Sequence, residues 1–131
     1  MADRGDDWYR QARHDLEHAR RVRDLGDFGW ACFAAQQAAE KALKALYQKL
    51  GAEAWGHSVF GLLQQLPARW AAVAALQDQA KELDKHYIPA RYPNAHAQGA
   101  PYEYYTRGEA DRAITQSEQI LRFCEGHLSE S

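Results

Sequence analysis

One segment, WACFAAQQAAEKALKALY at residues 30–47, determines the architecture expected of this chain. It is rich in alanine, and the sequence is apolar on nearly all sides of a helix between Phe28 and Ala35. This pattern predicts a central α-helix that is buried on most of its surface. Asp27 before it and Gly51 after it are typical helix boundaries, so the predicted helix spans residues 28–50. The small alanine side chains allow neighbouring helices to approach closely.

Apolar residues at steps of three and four predict further helices around this one. Including the central helix, the long ones span residues 7–25, 28–50, 70–87 and 107–127, and a short helix lies between Ser58 and Pro67. Residues typical of helix starts precede them: Asp6 or Asp7, Asp27, Ser58, and a capping box of Thr106 with Glu109. No strand pattern competes. The sequence therefore predicts an all-α fold, an antiparallel (up-and-down) bundle of four long helices plus one short helix. We expect a single domain over residues 1–131, with its core at about 7–127.

The composition excludes several classes of protein. With 16 basic and 18 acidic residues the net charge is −2, so no basic nucleic-acid-binding face is required and any such contact is expected to be local. No apolar run is long enough for a membrane helix, and the polar N-terminus lacks the core of a signal peptide. Cys32 and Cys124 fall in apolar helical patterns without a metal-type CxxC spacing. They are typical of buried free thiols in the cytoplasm, with a disulfide as the alternative.

A long loop precedes the last predicted helix, because residues 88–105 have neither helical nor strand periodicity. Loops of this length are uncommon inside a compact domain and are usually functional or disordered. The segment from Tyr87 to Tyr105 holds five of the seven tyrosines and three of the four prolines. Aromatic side chains bury large areas, and proline lowers the entropic cost of ordering a loop. We therefore predict an ordered, packed loop.

Arg91 and His96 in this loop are the candidate catalytic pair, with an R-x4-H spacing. An arginine binds phosphate bidentately, and a histidine transfers protons near neutral pH. Together they could cleave RNA without a metal, His96 moving the proton and Arg91 stabilising charge on the phosphate. In the alternative interpretation Arg91 ties the loop to a helix-terminal carboxylate and His96 is exposed.

A polar stripe runs along the central helix, formed by Gln36, Gln37, Glu40, Lys41, Lys44 and Gln48. If this stripe lines a cleft, Lys41 and Lys44 could bind phosphate oxygens. The alternative is a solvated face with a Glu40–Lys44 ion pair, which contributes a few tenths of a kcal/mol.

The other histidines and the tryptophans give weaker signals. His14 and His18 lie in HDLEH, which differs from a zinc-binding HExxH in its second residue and lacks an evident third ligand, so we expect no metal site and two exposed side chains. His57 is assigned to the entry of the short helix, with a role as a second imidazole near a site as the alternative. Trp30, Trp55 and Trp70 are expected to be core or interface anchors.

Four motifs make the chain resemble the HEPN family, the higher eukaryotes and prokaryotes nucleotide-binding domain. They are Trp8 with AxxDLxxA at 12–19, CFAAQQAAEKALKAL at 32–46, GHS at 56–58 with Leu62 and Leu63, and YIPARYP at 87–93. The resemblance covers about residues 7–125. It implies a helical bundle that dimerises and is often encoded beside a minimal nucleotidyltransferase in a toxin–antitoxin-like pair.

The resemblance also bears on Arg91 and His96. Many family members are metal-independent RNases that use R-x4–6-H, with the motifs of two subunits meeting across the dimer. Active members commonly carry a polar residue directly after the arginine, whereas Tyr92 and Pro93 follow it here. This R-Y-P form resembles the branch associated with minimal nucleotidyltransferases, for which nucleotide binding is expected. Pro93 also argues against a continuous helix from Arg91 to His96.

Three functions are consistent with this sequence. The leading hypothesis is a homodimeric protein that binds a nucleotide or RNA phosphate through Arg91, with Tyr92, Lys41 and Lys44 as co-ligands and a minimal nucleotidyltransferase as partner. The second is a metal-independent RNase toxin with Arg91 and His96 paired across the homodimer. The third is a structural dimerisation or adaptor module. None of the three requires a cofactor or a membrane.

Overall fold

The computed structural model describes residues 3–70 and 72–129 of the chain. In chain order its elements are α1 (Gly5–Asp24), α2 (Phe28–Lys49), α3 (Val59–Gln64), α4 (Ala72–Asp84), a 3-10 turn (Pro93–Ala95), α5 (Pro101–Tyr104) and α6 (Arg107–Leu128). The described residues include no strand, and four of the helices are long. The predicted all-α class and the bundle of four long helices are therefore confirmed.

Helix α2 forms the centre of the bundle. It packs chiefly against α1 and α6, and it also contacts α3, α4 and α5. Six of its alanines are completely buried: Ala31, Ala35, Ala38, Ala39, Ala42 and Ala45. The Ser117 hydroxyl of α6 donates to the Ala35 carbonyl oxygen at 2.7 Å, which requires the close helix approach that alanines permit. The predicted central, buried helix is confirmed.

Two of the predicted helix caps are wrong. Because α1 begins at Gly5, Asp6 and Asp7 lie within its first turn, where their charge favours the helix dipole without capping the helix. Asp3 instead accepts a hydrogen bond from the Gly5 amide at 2.7 Å. Asp27 does lie at the N-cap position of α2, but its side chain makes no capping hydrogen bond.

The other two predicted caps are confirmed. The Ser58 hydroxyl oxygen accepts from the Gly61 amide at 2.9 Å at the start of α3. Thr106 and Glu109 form the expected capping box, in which each side chain accepts from the other's amide, at 3.2 and 3.1 Å. These hydrogen bonds satisfy amides that a helix start otherwise leaves without partners.

Asp84, at the end of α4, adds a tertiary cap to the start of α3. Its carboxylate accepts from the amides of Val59 and Phe60 at 2.7 and 3.0 Å and from the Ser58 hydroxyl at 2.8 Å. A single side chain therefore holds the beginning of one helix against the end of another.

The segment between α4 and α6 is more structured than its sequence predicts. Helix α4 ends at Asp84, three residues earlier than predicted, and the chain continues as turns to Arg91. The loop then forms the 3-10 turn and the one-turn helix α5. Proline is favoured at the first position of a helix, which Pro101 occupies in α5, and the Glu103 carboxylate accepts from the Ala100 amide at 2.8 Å. These local interactions start α5 without the apolar periodicity by which the longer helices were predicted. The prediction of a loop without helical structure was wrong at these two places.

Cys32 and Cys124 are buried and free, as predicted. Burial raises the pKa of the Cys32 thiol to about 12, and it raises the pKa of the Cys124 thiol as well. Both thiols are therefore protonated at neutral pH and act as small packing groups. In the two described ranges, none of the helices is sufficiently long and apolar to cross a membrane.

Candidate functional site

Arg91 lies at the end of the turns that follow α4. The amides of Arg91 and Tyr92 both donate to the carbonyl oxygen of Ile88, at 3.0 and 3.2 Å. Tyr92 is extended, as expected for a residue before a proline, so the helical turns stop there. The Arg91 side chain packs against α2, where its guanidinium meets Phe33.

Three aromatic rings surround the Arg91 guanidinium. Its Cζ lies 4.2 Å from the ring centre of Phe33, 4.8 Å from that of Tyr87 and 5.0 Å from that of Tyr92. The Nε–H group donates to the Tyr87 carbonyl oxygen at 2.9 Å. The ion pairs between described residues do not include Arg91, so the alternative prediction of a tie to a helix-terminal carboxylate was wrong.

A small cleft of about 150 Å³ lies between the start of α2 and the loop that carries Arg91. Trp30 and Tyr102 line it together with Arg91, and both rings are well exposed; Asp27 contributes an acidic group. The two segments approach closely at Gly29, where an added Cβ would lie 3.4 Å from the Ala90 carbonyl oxygen. The cleft therefore combines a cation, two accessible aromatic rings and one carboxylate.

His96 has a different environment from Arg91. It follows the 3-10 turn, so the two residues do not lie on one helix. Its Nε2 is 2.7 Å from the Pro89 carbonyl oxygen, which can only accept, so Nε2 carries the proton. Its ring stacks on Tyr104 with centroids 4.7 Å apart, and the residue is half-buried, so the alternative prediction of an exposed side chain was wrong. No hydrogen bond or ring contact joins His96 to Arg91 within the described chain.

A second imidazole, that of His57, shares an aromatic neighbour with Arg91. The His57 ring stacks on the Tyr87 ring with centroids 5.0 Å apart and an interplanar angle of 16°. Its Nδ1 lies 3.2 Å from Oε1 of Glu40, a carboxylate of α2 that is only 3% exposed. His57 directly precedes the Ser58 cap of α3, as predicted, and its ring also lies near Arg91, which was the alternative. The sequence could not identify the contact with Tyr87, because it is tertiary.

The polar stripe of α2 is not fully solvated, because Gln36 and Glu40 are buried and its other four residues are half-buried. The predicted Glu40–Lys44 ion pair is present at 3.2 Å, and Gln37 also donates to Glu40, at 3.3 Å. The fully buried Gln36 donates to the His57 carbonyl oxygen at 2.8 Å. The carboxylate of Glu40 is therefore the centre of a buried polar cluster between α2 and the start of α3.

Lys41 and Lys44 lie away from Arg91. They follow Phe33, the α2 residue that contacts Arg91, by eight and eleven positions, or about 12 and 16 Å along the helix axis. Lys41 forms an ion pair with Asp15 of α1 and lines a separate cleft of about 320 Å³ with Arg4 and Trp8. Lys44 is held by Glu40. The expectation that the stripe lines a cleft is thus met at Lys41, in a different place from Arg91.

The other histidines and the tryptophans have varied environments. His14 and His18 are exposed on α1, as predicted. In the part of the chain that the structure describes, no group of three or more His, Cys, Asp and Glu side chains could hold a metal ion. Trp70 is buried in the core, whereas Trp30 and Trp55 are exposed and are not core residues.

A family model and one curated relative match this sequence. The family model, described as "HEPN domain", matches residues 6–127. The relative is a protein of Methanocaldococcus jannaschii named "Putative toxin MJ1304", which is 25% identical over 130 residues. The match covers 92% of this chain and 86% of that protein.

The fold is also similar to three solved structures. TT1696 from Thermus thermophilus has a TM-score of 0.92 and 50% identity, with 95% of this chain and 98% of that chain covered. ST0689, described as an archaeal HEPN homologue, has a TM-score of 0.82 and 43% identity, with 98% and 100% covered. A HEPN domain protein from Thermotoga maritima has a TM-score of 0.77 and 43% identity, with 95% and 99% covered.

Proposed function

We propose that this chain, which belongs to the HEPN domain family, binds a nucleotide or an RNA phosphate through Arg91. The observation that carries the proposal is a guanidinium held among three aromatic rings without a carboxylate partner in the described residues. Ring faces attract a cation without occupying its N–H groups. Because Nε donates to the Tyr87 carbonyl oxygen, the two terminal nitrogens are available to bind a phosphate bidentately.

Exposed aromatic rings beside Arg91 fit the base of such a ligand. Tyr92, Trp30 and Tyr102 are all large exposed side chains, and a base can stack on rings of this kind. Lys41 and Lys44 belong to the proposed set of phosphate ligands too, for phosphates farther along α2 than the one at Arg91. Asp15 and Glu40 hold them, so each binds only where a phosphate replaces its carboxylate partner.

We propose in addition that the protein is a homodimer and the partner of a minimal nucleotidyltransferase in a toxin–antitoxin-like pair. Membership of the HEPN family supports this proposal, as does similarity to the protein named "Putative toxin MJ1304". Exposed apolar side chains such as Leu25, Trp30 and Trp55 are the kind of surface that such contacts bury.

Arg91→Ala is expected to remove most of the thermal stabilisation that a nucleotide or short RNA gives to the wild type. Losing a bidentate phosphate contact costs about 2–3 kcal/mol, which weakens binding about 30- to 150-fold. We would titrate nucleoside mono-, di- and triphosphates and a single-stranded RNA, measuring Tm and Kd. Arg122→Ala, at an exposed arginine of α6, is the matched control. An unchanged ligand response in Arg91→Ala would remove Arg91 from the site.

The second candidate function is a metal-independent RNase with Arg91 and His96 paired across a homodimer. The relative named as a toxin favours it. Because the two side chains make no contact within one chain, the pair would have to form between subunits. This function predicts cleavage of mixed-sequence RNA in EDTA that disappears in His96→Ala. Harmless high-level expression of the lone protein would count against it. A structural adaptor, the third candidate, would neither bind nor cleave these ligands.

A further inference from the structure

The imidazole of His57 is held beside the Arg91 site by a buried carboxylate, although nothing in the proposed binding function uses it. We infer that His57 is a catalytic residue of this site, accepting the proton of the ribose 2′-hydroxyl of a bound RNA, with Glu40 as its positioning residue. The inference rests on the proposed function, since it requires that Arg91 bind the adjacent phosphate.

The contact with Glu40 fixes which nitrogen of His57 can act as a base. A carboxylate only accepts hydrogen bonds, so Nδ1 carries the proton in the 3.2 Å contact with Oε1 of Glu40. In the neutral ring Nε2 is then unprotonated. The His57 side chain is 58% exposed, whereas that of Glu40 is 4% exposed. The imidazole is therefore accessible to a ligand, while the carboxylate that orients it is buried. Carboxylate–imidazole pairs of this kind orient the histidine base in hydrolases.

Hydrogen bonds also hold the Glu40 carboxylate and the main chain of His57 in place. Lys44 and Gln37 both donate to the Glu40 carboxylate and so orient it in a buried place. Gln36 holds the main chain of His57 through its carbonyl oxygen. The imidazole is therefore positioned through both its backbone and its ring, as precise proton transfer requires.

Contact with the same Tyr87 ring limits how far apart His57 and Arg91 can lie. The imidazole centre is 5.0 Å and the guanidinium carbon 4.8 Å from the same Tyr87 ring, so the two groups lie at most about 10 Å apart. A 2′-hydroxyl and the neighbouring phosphate can bridge such a gap with a hydrogen bond of about 3 Å at each end.

His96 is less suited to this role within one chain. Its Nε2–H is occupied by the Pro89 carbonyl oxygen, and its ring is stacked on Tyr104. No carboxylate of the described residues pairs with it. His57 shares Tyr87 with Arg91 in the same chain, so it needs no second subunit to complete the site.

The step balances without a metal or co-reactant. His57 Nε2 takes the proton from the 2′-hydroxyl, and the 2′-oxygen attacks the adjacent phosphorus. The bond from phosphorus to the 5′-oxygen breaks, and that oxygen takes up a proton from solvent, while His57 returns its own proton to solvent. The products are a 2′,3′-cyclic phosphate and a 5′-hydroxyl. Arg91 binds the non-bridging phosphate oxygens, on which charge increases.

The test is cleavage of an end-labelled RNA in EDTA by wild-type protein, His57→Ala, His96→Ala and, as the matched control, His14→Ala at an exposed histidine of α1. We expect His57→Ala to lower kcat/KM at least about 100-fold and His14→Ala to change it less than about 3-fold. Added imidazole should restore part of the lost activity in His57→Ala, which a merely structural role would not allow. The hydrogen bond from Gln36 is made to the main-chain carbonyl oxygen of residue 57, so the alanine variant keeps it. If His57→Ala does not fold, His57→Asn is the second variant. Glu40→Gln should lower kcat without changing KM.

Binding of a 2′-O-methyl RNA, which cannot react, separates failure of this inference from failure of the proposed function. If wild type binds this RNA but does not cleave ordinary RNA, the inference is overturned and the binding function stands. Cleavage lost in His96→Ala and kept in His57→Ala overturns it in favour of the RNase that uses His96. If wild type does not bind the RNA at all, both the inference and the RNA-binding function fail.

Discussion

Replacing Leu43 by alanine is expected to lower the free energy of unfolding by about 2–5 kcal/mol. Leu43 has no exposed surface and lies in the middle of α2, where the helix packs between α1 and α6. Several residues beside it in α2 are alanines, which have no flexible side chain to fill the cavity. The cost should therefore include most of the cavity energy as well as the lost hydrophobic transfer.

Urea unfolding of Leu43→Ala should be compared with that of Leu25→Ala. Leu25 is 83% exposed after α1, so the same chemical change there should alter stability by less than about 0.5 kcal/mol. Similar losses in both variants would contradict the assignment of α2 as the central packing element.

Glu40→Ala is expected to have the second largest effect on stability, a loss of about 3 kcal/mol. The substitution leaves the Lys44 ammonium, with a side chain only 14% exposed, without its carboxylate. It also removes one acceptor of Gln37 and the carboxylate beside His57. The penalty comes mainly from leaving the Lys44 charge without its partner in a largely buried place.

A double-mutant cycle tests this reason directly. Glu40→Leu combined with Lys44→Met should be more stable than Glu40→Leu alone by at least about 1 kcal/mol, because replacing both partners leaves no unpaired charge. Glu53→Ala, at an exposed residue, controls for the loss of a glutamate. Simple additivity of the two substitutions in the cycle would mean that the ion pair does not explain the effect.

The long helices were predictable because each buries one apolar face, and that face repeats every three or four residues. The predictions that were wrong, the absence of helix α5 and the cap at Asp27, have local causes. Helix α5 is set by Pro101 and a Glu103 contact with the Ala100 amide, neither of which produces apolar periodicity. Whether Asp27 makes a capping hydrogen bond depends on the conformation of its side chain, which the residue type does not determine.

The site was predictable only in part. A loop rich in tyrosine and proline indicated Arg91 and the ring of Tyr92 next to it. The rings of Phe33 and Tyr87, and the contact between Tyr87 and His57, join segments far apart in sequence. Helical periodicity also predicted that Lys41 and Lys44 share one face of α2. It could not predict how far they lie from Arg91, because the place where the Arg91 loop packs along α2 depends on tertiary contacts. The roles of the two lysines as phosphate ligands stay a prediction.

The carboxylate of Asp84 has a consequence for motion as well as for stability. It joins the first turn of α3 to the last turn of α4, only three residues before Tyr87. His57 directly precedes the Ser58 cap of that first turn. Asp84 therefore couples the two helix ends, and we expect a shift of either end to displace the other. The stacking of the His57 imidazole on the Tyr87 ring thus depends in part on this bridge between α3 and α4.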